Sequence, residues 1–343
     1  MVHKKRIGVV IVSYGHNKYI PKLIDSIMPG IRPGDKLIVV DNKNPHNLAF
    51  SFKRKGLSIV DHDNGGFAAG CNFGASKIVN DVDILVFINP DTYAENNSDY
   101  LDKMRNGYLK YDAWQSLVLL PDKSINSAGN VLHITGLSWT NKFGTKEYPE
   151  SEQKIDILSG AALAITKKYW LKVNGFTEDY FLYIEDVDLS LKIRAAGGRI
   201  GILPQAKIIH DFDFEKGNTK WFYIERNRLI CMLALWPSSL LFITFVPNII
   251  FNLIIFLKYL LAGRPQVKIH ADLDFIRMIP TALRLRKNYR KSNLIMEPRK
   301  FVKTLVYKFD SPLLGPLANN KFIDLLFKIY YKVIHDFIFL IIK

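Results

Sequence analysis

The stretch DILVFINPDT, residues 83–92, joins a buried strand to a carboxylate. Ile84 to Ile88 form an unbroken apolar run, and Asn89, Pro90 and Asp91 follow it directly. This ending is typical of a plain turn, because Asn and Pro favour turns and Asp can close an Asx-turn. It also fits a site for Mg²⁺ or Mn²⁺, because these cations prefer oxygen ligands and bind substrate phosphates as well. The stretch alone leaves both interpretations open.

Apolar segments alternate with helical segments on both sides of this stretch. The strand candidates are residues 6–14, 36–42, 57–63 and 83–89, and helical patterns cover 17–29 and 68–79. Continuous apolar strands with helices between them predict an α/β fold, a Rossmann-like and mostly parallel sheet flanked by helices. Ligands of such sheets bind at the carboxyl ends of the strands. The polar residues at these ends are Ser13, Asp41, Asp63 and Asp91.

A second block, residues 154–210, predicts a strand at 161–166, an acidic-capped helix at 186–196 and two short strands that end at His210. Glu185, Asp186 and Asp188 crowd the start of this helix. Helix capping explains carboxylates at this place. Three acids within four residues also repel one another, which favours a functional site with shifted pKa values.

The lone His210 is more typical of a structural histidine than of a ligand. It becomes a candidate second metal ligand if its strand end meets Asp91, since imidazole is an acceptable ligand for Mn²⁺.

The segment VDHDNGGFAAGCNFG, residues 60–74, is rich in glycine. Gly65, Gly66 and Gly70 would allow the backbone to approach a ligand closely. The spacing is neither G-x-G-x-x-G nor that of a P-loop, so the dinucleotide fingerprint is excluded. A glycine-rich turn packed on a helix is the structural alternative.

The segment WFYIERNRL, residues 221–229, places Arg226 and Arg228 near the junction with the basic last third. The two arginines fit either a solvated helix face or a guanidinium clamp on phosphate.

Basic charge is concentrated in the last third of the chain. The net charge is +15, and residues 236–343 hold 17 of the 47 Lys and Arg but only 6 of the 32 Asp and Glu. We therefore expect two domains, an α/β domain over 1–235 and a basic amphipathic helical region over 236–343. A nucleic-acid partner is disfavoured, because the charge lies beside apolar helices and lacks a recognition motif. Cys71 and Cys231 offer no disulfide framework or zinc spacing, which indicates a reducing compartment.

The apolar segments of this last third predict attachment to a membrane. Residues 240–257 have the minimum length of a span, but a single span would export 16 Lys and Arg in residues 263–343, against the positive-inside tendency. Residues 321–342 form an apolar helix with one polar stripe, suited to a membrane interface. Residues 277–293 add cations for anionic headgroups. We expect peripheral or re-entrant attachment; a true span and a soluble helical interface of a homo-oligomer are the alternatives.

Taken in order, these motifs resemble the family 2 glycosyltransferases of the GT-A fold, and within them the bacterial rhamnosyltransferase-like enzymes that build surface polysaccharides. The resemblance covers residues 6–235. The matching segments are VIVSY at 10–14, VVDN at 39–42, NGGFAAGCN at 64–72, INPDT at 88–92, SGAALAI at 159–165, NGFTEDYFLYIEDVDL at 174–189, His210 and ERNRL at 225–229.

The resemblance implies a nucleotide-sugar pocket. Ser13 and Tyr14 would line the nucleotide pocket, and Asp41 would contact the base or ribose. Asn64 and Asn72 would flank the nucleotide and the sugar. The donor would be a UDP- or dTDP-linked sugar.

The resemblance also implies a metal site and a catalytic base. Asn89 and Asp91 occupy the D-x-D metal motif, with Asp91 as the ligand and His210 completing the site. Asp186 matches the catalytic base, with Glu185 beside it. Arg226 would help to neutralise the diphosphate.

The expected function is that of a metal-dependent, inverting hexosyltransferase. It would move rhamnose or another hexose to a hydroxyl of a lipid-linked or growing surface glycan, at the cytoplasmic face of the bacterial inner membrane. The alternatives are a nucleotide-sugar-binding protein without catalysis and a sugar nucleotidyltransferase. The latter usually has a Gly- and Arg-rich loop after the first strand, which VSYGHNKYI at 12–20 lacks.

Three positions depart from the family pattern. Asn89 replaces the first acid of D-x-D, Lys192 stands where arginine is usual and Thr177 where aspartate is usual. These departures bear on the sugar and the acceptor more than on the reaction.

Overall fold

The computed structural model describes residues 5–43, 54–95, 99–211, 217–318 and 320–341, and within these ranges a sheet of ten strands dominates the fold. The strands of the chain are β1 (Ile7–Ser13), β2 (Lys36–Asn42), β3 (Leu57–His62), β4 (Ile84–Ile88), β5 (Thr92–Ala94), β6 (Ala113–Leu119), β7 (Ile125–Ser127), β8 (Asn130–His133), β9 (Ser138–Thr140), β10 (Gln153–Lys154), β11 (Ala162–Thr166), β12 (Ile200–His210) and β13 (Leu305–Val306). The large sheet has the order β10-β12-β6-β11-β4-β1-β2-β3, where β5 also pairs with β12 and β7 with β6.

The helices are α1 (Ile20–Ile27), α2 (Phe67–Ile78), α3 (Tyr100–Asn106), α4 (Lys167–Lys172), α5 (Glu185–Ala195), α6 (Gly217–Leu235), α7 (Ser238–Leu261), α8 (Pro265–Lys291), α9 (Pro298–Val302) and α10 (Lys321–Ile341). The helix expected at 186–196 corresponds to α5, one residue earlier at each end. The predicted α/β fold with a mostly parallel sheet is confirmed.

The four strands predicted in the first ninety residues are parallel to one another and have the order β4-β1-β2-β3. In β1, Ile7, Val9 and Ile11 belong to the core cluster that contains the buried residues of α1 and α3. Side chains alternate along a strand, so Val10 and Val12 point to the other face, where α2 packs. Helices therefore cover both faces of β1, which explains its continuous apolar sequence.

The glycines of α2 allow the helix to lie directly on the sheet. A Cβ atom at Gly70 would be 2.7 Å from Val12 Cγ1, and one at Gly74 would be 2.6 Å from Val10 Cγ1. The missing side chain of Gly70 therefore serves helix–strand packing, and close approach of its backbone to a ligand stays a prediction.

The last part of the large sheet differs from the prediction. Residues 200–210 form one strand, β12, and not two short ones. Its pairing with β6 is irregular between Leu203 and Lys207. Pro204 lies in this irregularity, and a proline has no N–H to donate to the ladder. The sequence pattern was interrupted at this proline although the strand continues.

The chain forms two compact units. The first comprises residues 1–130, 140–193 and 197–212, and the second comprises 131–139, 194–196 and 213–343, as far as the structure describes them. The division at residue 235 expected from the sequence stays a prediction.

The second unit contains α6 to α10 and most of the three-stranded sheet β13-β8-β9. Its aromatic core holds Trp139, Phe251 and Phe309. Four polar residues, here called the ionic cluster, join α6, α7 and α8: Glu225, Arg228, Asn252 and Lys268. Lys268 Nζ lies 3.4 Å from Glu225 Oε2 and 2.7 Å from Asn252 Oδ1. Arg228 Nη2 lies 3.2 Å from the same Glu225 oxygen. Within the described residues, α7 alone has the length and composition of a membrane span.

Candidate active site

The turn after β4 brings Asp91 to the end of β12. Thr92 in β5 pairs with His210, and Asp211 N donates a hydrogen bond to the Asp91 carbonyl. Asp91 Oδ1 lies 3.1 Å from His210 Nε2, and both side chains are buried. The other ring nitrogen of His210 lies 3.4 Å from Asn126 Oδ1. The structure thus brings together the two residues named as metal ligands, while metal binding itself stays a prediction.

The donor groups of this turn fit a hard divalent cation. Two hydrogen bonds fix the backbone of Asn89. Its N–H donates to the Ala161 carbonyl at 2.9 Å, and its carbonyl accepts from Thr92 Oγ1 at 2.8 Å. Its side-chain Oδ1 is buried without a hydrogen-bond partner among the described residues. Those residues contain no group of three His, Cys, Asp or Glu suited to a metal ion. The Asp91 carboxylate and the Asn89 side-chain oxygen are ligands of the kind that Mg²⁺ and Mn²⁺ prefer, and these cations are often held by one or two carboxylates plus water and substrate phosphate oxygens.

Asp186 at the start of α5 is held by three donors. Its Oδ2 accepts hydrogen bonds from Gly160 N at 3.0 Å and Asn130 Nδ2 at 3.3 Å, and its Oδ1 accepts one from Val187 N at 2.8 Å. Burial raises the pKa of Asp186 even though the backbone donors lower it. The side chain keeps partial exposure. A fixed, accessible carboxylate of raised pKa suits a general base.

The neighbouring Glu185 has a different environment. Its side chain is buried, and its Oε2 lacks a hydrogen-bond partner within the described part of the chain. Burial, followed by the charge of Asp186, raises the pKa of Glu185. Two adjacent carboxyl groups of this kind do not readily ionise together, because like charges repel in a site poor in water.

Backbone contacts connect Asp186 to the Asp91 turn. Gly160, which donates to Asp186, precedes Ala161, whose carbonyl accepts from Asn89. Burial and the negative charges of Glu185 and Asp91 raise the pKa of Tyr183 to about 12. The start of α5 and the Asp91 turn are thus linked through Gly160 and Ala161 in the first unit, and the convergence of Asp91 and Asp186 on one pocket stays a prediction.

A strained loop precedes α5. Phe181, Tyr183 and Ile184 have φ values of 65°, 66° and 73°. Left-handed backbone is uncommon for bulky residues and an outlier for β-branched ones, and such strain concentrates at functional sites. The loop is fixed to α2, because Phe67 N donates to Phe181 O at 2.8 Å and a Cβ atom at Gly66 would lie 2.1 Å from that oxygen.

Asn72 also fixes this loop. Its Nδ2 donates to Phe176 O at 3.0 Å and to Glu178 Oε1 at 2.8 Å, and its Oδ1 accepts from Phe176 N at 3.0 Å. The side-chain amide thus positions the chain that leads to α5. Contact between Asn72 and the donor stays a prediction.

Asp188, the third acid of α5, has a structural environment. It is fully buried and pairs with Lys192 at 2.8 Å, and it accepts hydrogen bonds from Thr177 Oγ1 at 2.7 Å and Tyr180 OH at 3.1 Å. Lys192 Nζ also donates to Thr177 Oγ1 at 2.9 Å. Thr177 and Lys192, two of the positions that depart from the family pattern, therefore contact each other beside Asp188.

The predicted nucleotide residues lie at the ends of β1 and β2. Ser13 is fully buried, and its Oγ has no partner among the residues described. Asp41 is buried, whereas 59% of Tyr14 is exposed. Asn64 Oδ1 accepts hydrogen bonds from Asn42 Nδ2 at 3.0 Å and from Gly66 N. The nucleotide contacts of these residues stay predictions.

Arg226 lies in the second unit. It is buried, and its Nη1 donates to Asp274 Oδ2 at 2.9 Å while its Nε donates to Asn227 Oδ1 at 2.9 Å. Arg228 is fully buried and donates to Thr135 O and Asn252 Oδ1, both at 2.8 Å, so it does not lie on a solvated helix face. The role of either arginine at a diphosphate stays a prediction.

Sequence comparison relates the chain to rhamnosyltransferases. It is 28% identical over 220 residues to the rhamnosyltransferase WbbL of Escherichia coli (strain K12), an alignment that covers 59% of this chain and 82% of that protein. It is 35% identical over 72 residues to the N-acetylglucosaminyl-diphospho-decaprenol L-rhamnosyltransferase of Mycobacterium tuberculosis (strain ATCC 25618 / H37Rv), which covers 21% of this chain and 24% of that protein. No protein-family model matches the chain.

Structural comparison supports the fold. A crystal structure of GalNAc-T7 with UDP, GalNAc and Mn²⁺ superposes with a TM-score of 0.56 at 12% identity over 69% of this chain. The chain spans about half of that structure, 49% of its length. The resemblance to bacterial rhamnosyltransferases of the GT-A fold, inferred from the motifs, is confirmed by these matches.

Proposed function

We propose that this rhamnosyltransferase-like glycosyltransferase moves a hexose from a nucleotide-diphosphate donor to a hydroxyl group of a lipid-linked glycan. Rhamnose is the first candidate sugar, because both sequence relatives are named for its transfer. The observation that supports the proposal is the contact between Asp91 and His210, together with the Gly160–Ala161 link from this turn to Asp186. The donor nucleotide is UDP or dTDP.

Asp186 is the proposed general base. Its carboxylate would take the proton of the acceptor hydroxyl, a contribution of typically ~10²–10⁴-fold to the rate. The hydrogen bonds from Gly160, Asn130 and Val187 hold the carboxylate in one orientation. Attack in line with the departing diphosphate depends on this orientation. One displacement with one base inverts the configuration of the anomeric carbon.

Asp91 and His210 would hold the divalent cation, with the Asn89 side-chain oxygen in the same turn. When bound, Mg²⁺ or Mn²⁺ supplies positive charge to the leaving diphosphate. Glu185, whose raised pKa favours its neutral form, would keep a second negative charge away from Asp186 and the donor.

We also propose that the second unit attaches the enzyme peripherally to the cytoplasmic face of the inner membrane. Exposed apolar side chains on α7 and α10 and exposed cations on α8 support this attachment. A lipid-linked acceptor stays in the bilayer, so a transferase that acts on it gains from being bound there.

A donor panel tests the proposal. The full chain is incubated with Mg²⁺ or Mn²⁺, UDP- and dTDP-linked sugars and lipid-linked acceptors, and the released nucleotide and glycosylated lipid are measured. We expect acceptor-dependent release with at least one donor and its loss on chelation or in Asp91→Asn. Donor binding without release from any acceptor would favour the alternative of a binding protein. Release of pyrophosphate from a nucleoside triphosphate and a sugar phosphate would instead favour a nucleotidyltransferase.

A further inference from the structure

The second unit contains an apolar groove between α6, α7 and α8. Its volume is about 550 Å³, within the range of ~300–1,000 Å³ that small-molecule sites occupy. Its walls include Leu229, Met232, Phe245, Leu253 and Phe275. Phe245 and Leu253 are also among the exposed apolar side chains of α7 that support membrane attachment, whereas the proposed reaction itself assigns no role to this groove.

The polar residues of the groove are largely occupied by other contacts. Asn252 Oδ1 accepts hydrogen bonds from Arg228 and Lys268, and Asp272 Oδ1 pairs with Lys268. Asn248 Nδ2 donates to Thr244 O at 2.9 Å, whereas Asn248 Oδ1 is buried without a hydrogen-bond partner among the described residues. The groove therefore offers mainly hydrocarbon walls, and a hydrocarbon ligand matches them because it removes apolar surface from water.

The exposed side of α8 changes from apolar to basic along its length. Leu273 and Ile276 are exposed beside the groove, and Arg277, Arg284 and Lys287 follow at helical spacing on the exposed side. This order complements an amphiphile with a hydrocarbon chain and an anionic head. Lys and Arg are suited to phosphate groups through charge and hydrogen bonding.

We propose that the groove binds the polyprenyl chain of the acceptor lipid and that the basic part of α8 binds its phosphate groups. This inference rests on the proposed function for the identity of the lipid. An isoprenoid diphosphate is the lipid in the name of one relative, the N-acetylglucosaminyl-diphospho-decaprenol L-rhamnosyltransferase, and the inference locates the chain of such a lipid on α7 and α8.

The test compares two positions on α7. Leu253 lines the groove, and Ile250 does not. The exposed fractions of the two side chains are similar, 58% and 54%. Leu253→Glu and Ile250→Glu therefore have the same charge and a similar effect on membrane adsorption, but only the first introduces a carboxylate into the groove. Both positions are at the surface, so both variants are expected to fold, which circular dichroism verifies.

Binding is measured on the full chain with a photoreactive geranylgeranyl diphosphate analogue, without donor or cation. We expect crosslinks to α7 and α8 that unlabelled geranylgeranyl diphosphate prevents and inorganic diphosphate does not. Leu253→Glu should weaken binding by about tenfold or more, equivalent to at least ~1.4 kcal/mol, and Ile250→Glu should have little effect. Equal losses in the two variants, or crosslinks outside α6 to α8, would overturn the inference.

A second measurement separates this inference from the proposed function. If the chain transfers sugar to a lipid-linked acceptor but Leu253→Glu binds the analogue normally, the groove inference is wrong and the proposed function stands. If the groove captures the lipid but no donor is consumed, the proposed function is wrong and the groove stands. The parent protein could also form a dimer through the groove. If Leu253→Glu dissociates such a dimer and added lipid does not, the occupant of the groove is a second copy of the chain and the inference is wrong.

Discussion

At the scale of single residues, the backbone of Ile184 is the feature that most directly links structure to catalysis. A β-branched residue at φ 73° is strained, and such conformations cost about 1–3 kcal/mol. The contacts of Phe67 and Asn72 with the loop hold this conformation, and the strained residue stands immediately before Glu185 and Asp186. We infer that the strained backbone of Ile184 lowers the stability of the folded chain and fixes the positions of Glu185 and Asp186.

Replacing Asp186 by Asn should abolish most transfer and preserve donor binding. The amide cannot accept the acceptor proton, so we expect a loss of ~10²–10⁴-fold in kcat. The measurements are initial rates of glycosyl transfer and donor affinity by calorimetry. Asp81→Asn changes an exposed carboxylate of the same unit and serves as the control. Near-normal turnover of Asp186→Asn would remove Asp186 from the role of base.

The pH dependence of activity should reflect the raised pKa of Asp186. The base must be ionised, so kcat/KM should fall on acidification at a pH above the ordinary aspartate value of about 3.9. Initial rates measured across the acidic range with saturating cation test this expectation. An acid limb at or below the ordinary aspartate value would contradict it.

Glu185→Gln should stabilise the fold at neutral pH. A carboxyl group whose pKa is raised in the folded state holds its proton more tightly there than in the unfolded chain. Its contribution to stability is therefore present in acid and is lost as the pH rises from the unfolded pKa through the folded one. The melting temperature of the variant should exceed that of the parent protein near neutral pH, and the difference should shrink in acid. A constant difference across this range would indicate another cause.

The sequence identified most of these residues by type and could not give their environments. Asp91, His210, Glu185 and Asp186 stand out because carboxylates and an imidazole end apolar segments. Tyr183 was missed, because its position depends on positive φ values that no residue pattern of this kind predicts. Asn130 was missed too, because it reaches Asp186 across 56 residues of sequence, a contact that only the tertiary fold creates.

At the scale of elements, α5 shows how one helix combines catalytic and structural acids. Asp186 faces the site, whereas Asp188 lies two residues further on and pairs with Lys192 inside the first unit. The sequence analysis predicted that three acids at the start of α5 do more than cap the helix. The different contacts of Asp186 and Asp188 agree with this prediction. The sequence could not assign the two roles, since the three acids have the same chemistry and differ only in which face of the helix they occupy.

Lys192→Met should strongly destabilise the protein. The change leaves the buried Asp188 carboxylate without its cation, and breaking a buried ion pair from one side costs about 3–5 kcal/mol. Chemical denaturation measures the loss, and Lys168→Met, at an exposed position of α4, provides the matched control. Adding Asp188→Asn to Lys192→Met should restore part of the stability. A loss equal to that of the control would show that the pair is dispensable.

Of the four strands predicted in the first ninety residues, β1, β2 and β4 are buried and have continuous apolar sequences, which made them predictable, whereas β3 is only partly buried. The buried strand β6 was not predicted. The same rule failed at β12, where Pro204 and a register irregularity interrupt the pattern inside one strand. The sequence could not decide the role of Gly70, since helix packing and close approach to a ligand both favour a missing side chain.

At the scale of the whole molecule, uneven charge was the main signal available from composition. The excess of Lys and Arg in residues 236–343 coincides with the exposed apolar positions of α7 and α10. A basic surface beside exposed apolar side chains fits anionic lipid better than nucleic acid. Which of these helices contact lipid depends on tertiary packing, and composition does not contain that information.

Reversing charge on α8 should weaken binding to anionic vesicles. Each Lys or Arg near such a surface contributes about 1 kcal/mol, so Arg284→Glu combined with Lys287→Glu should reduce vesicle binding by about tenfold or more. Flotation with phosphatidylglycerol vesicles at low and high salt measures the effect. The control, Lys154→Glu with Lys168→Glu, makes the same change of net charge on exposed positions of the first unit. Equal loss in both pairs would argue against a specific role of α8.

The ionic cluster has a practical consequence for shortening the chain. A truncation after residue 235 would keep Glu225 and Arg228 on α6 but delete Asn252 and Lys268, to which they are joined. The cut would remove Lys268 from Glu225 and Asn252 from Arg228, and it would expose the apolar side of α6 to water. We therefore expect such a fragment to be recovered mainly in inclusion bodies, whereas a fragment that retains α7 and α8 should stay in the clarified lysate.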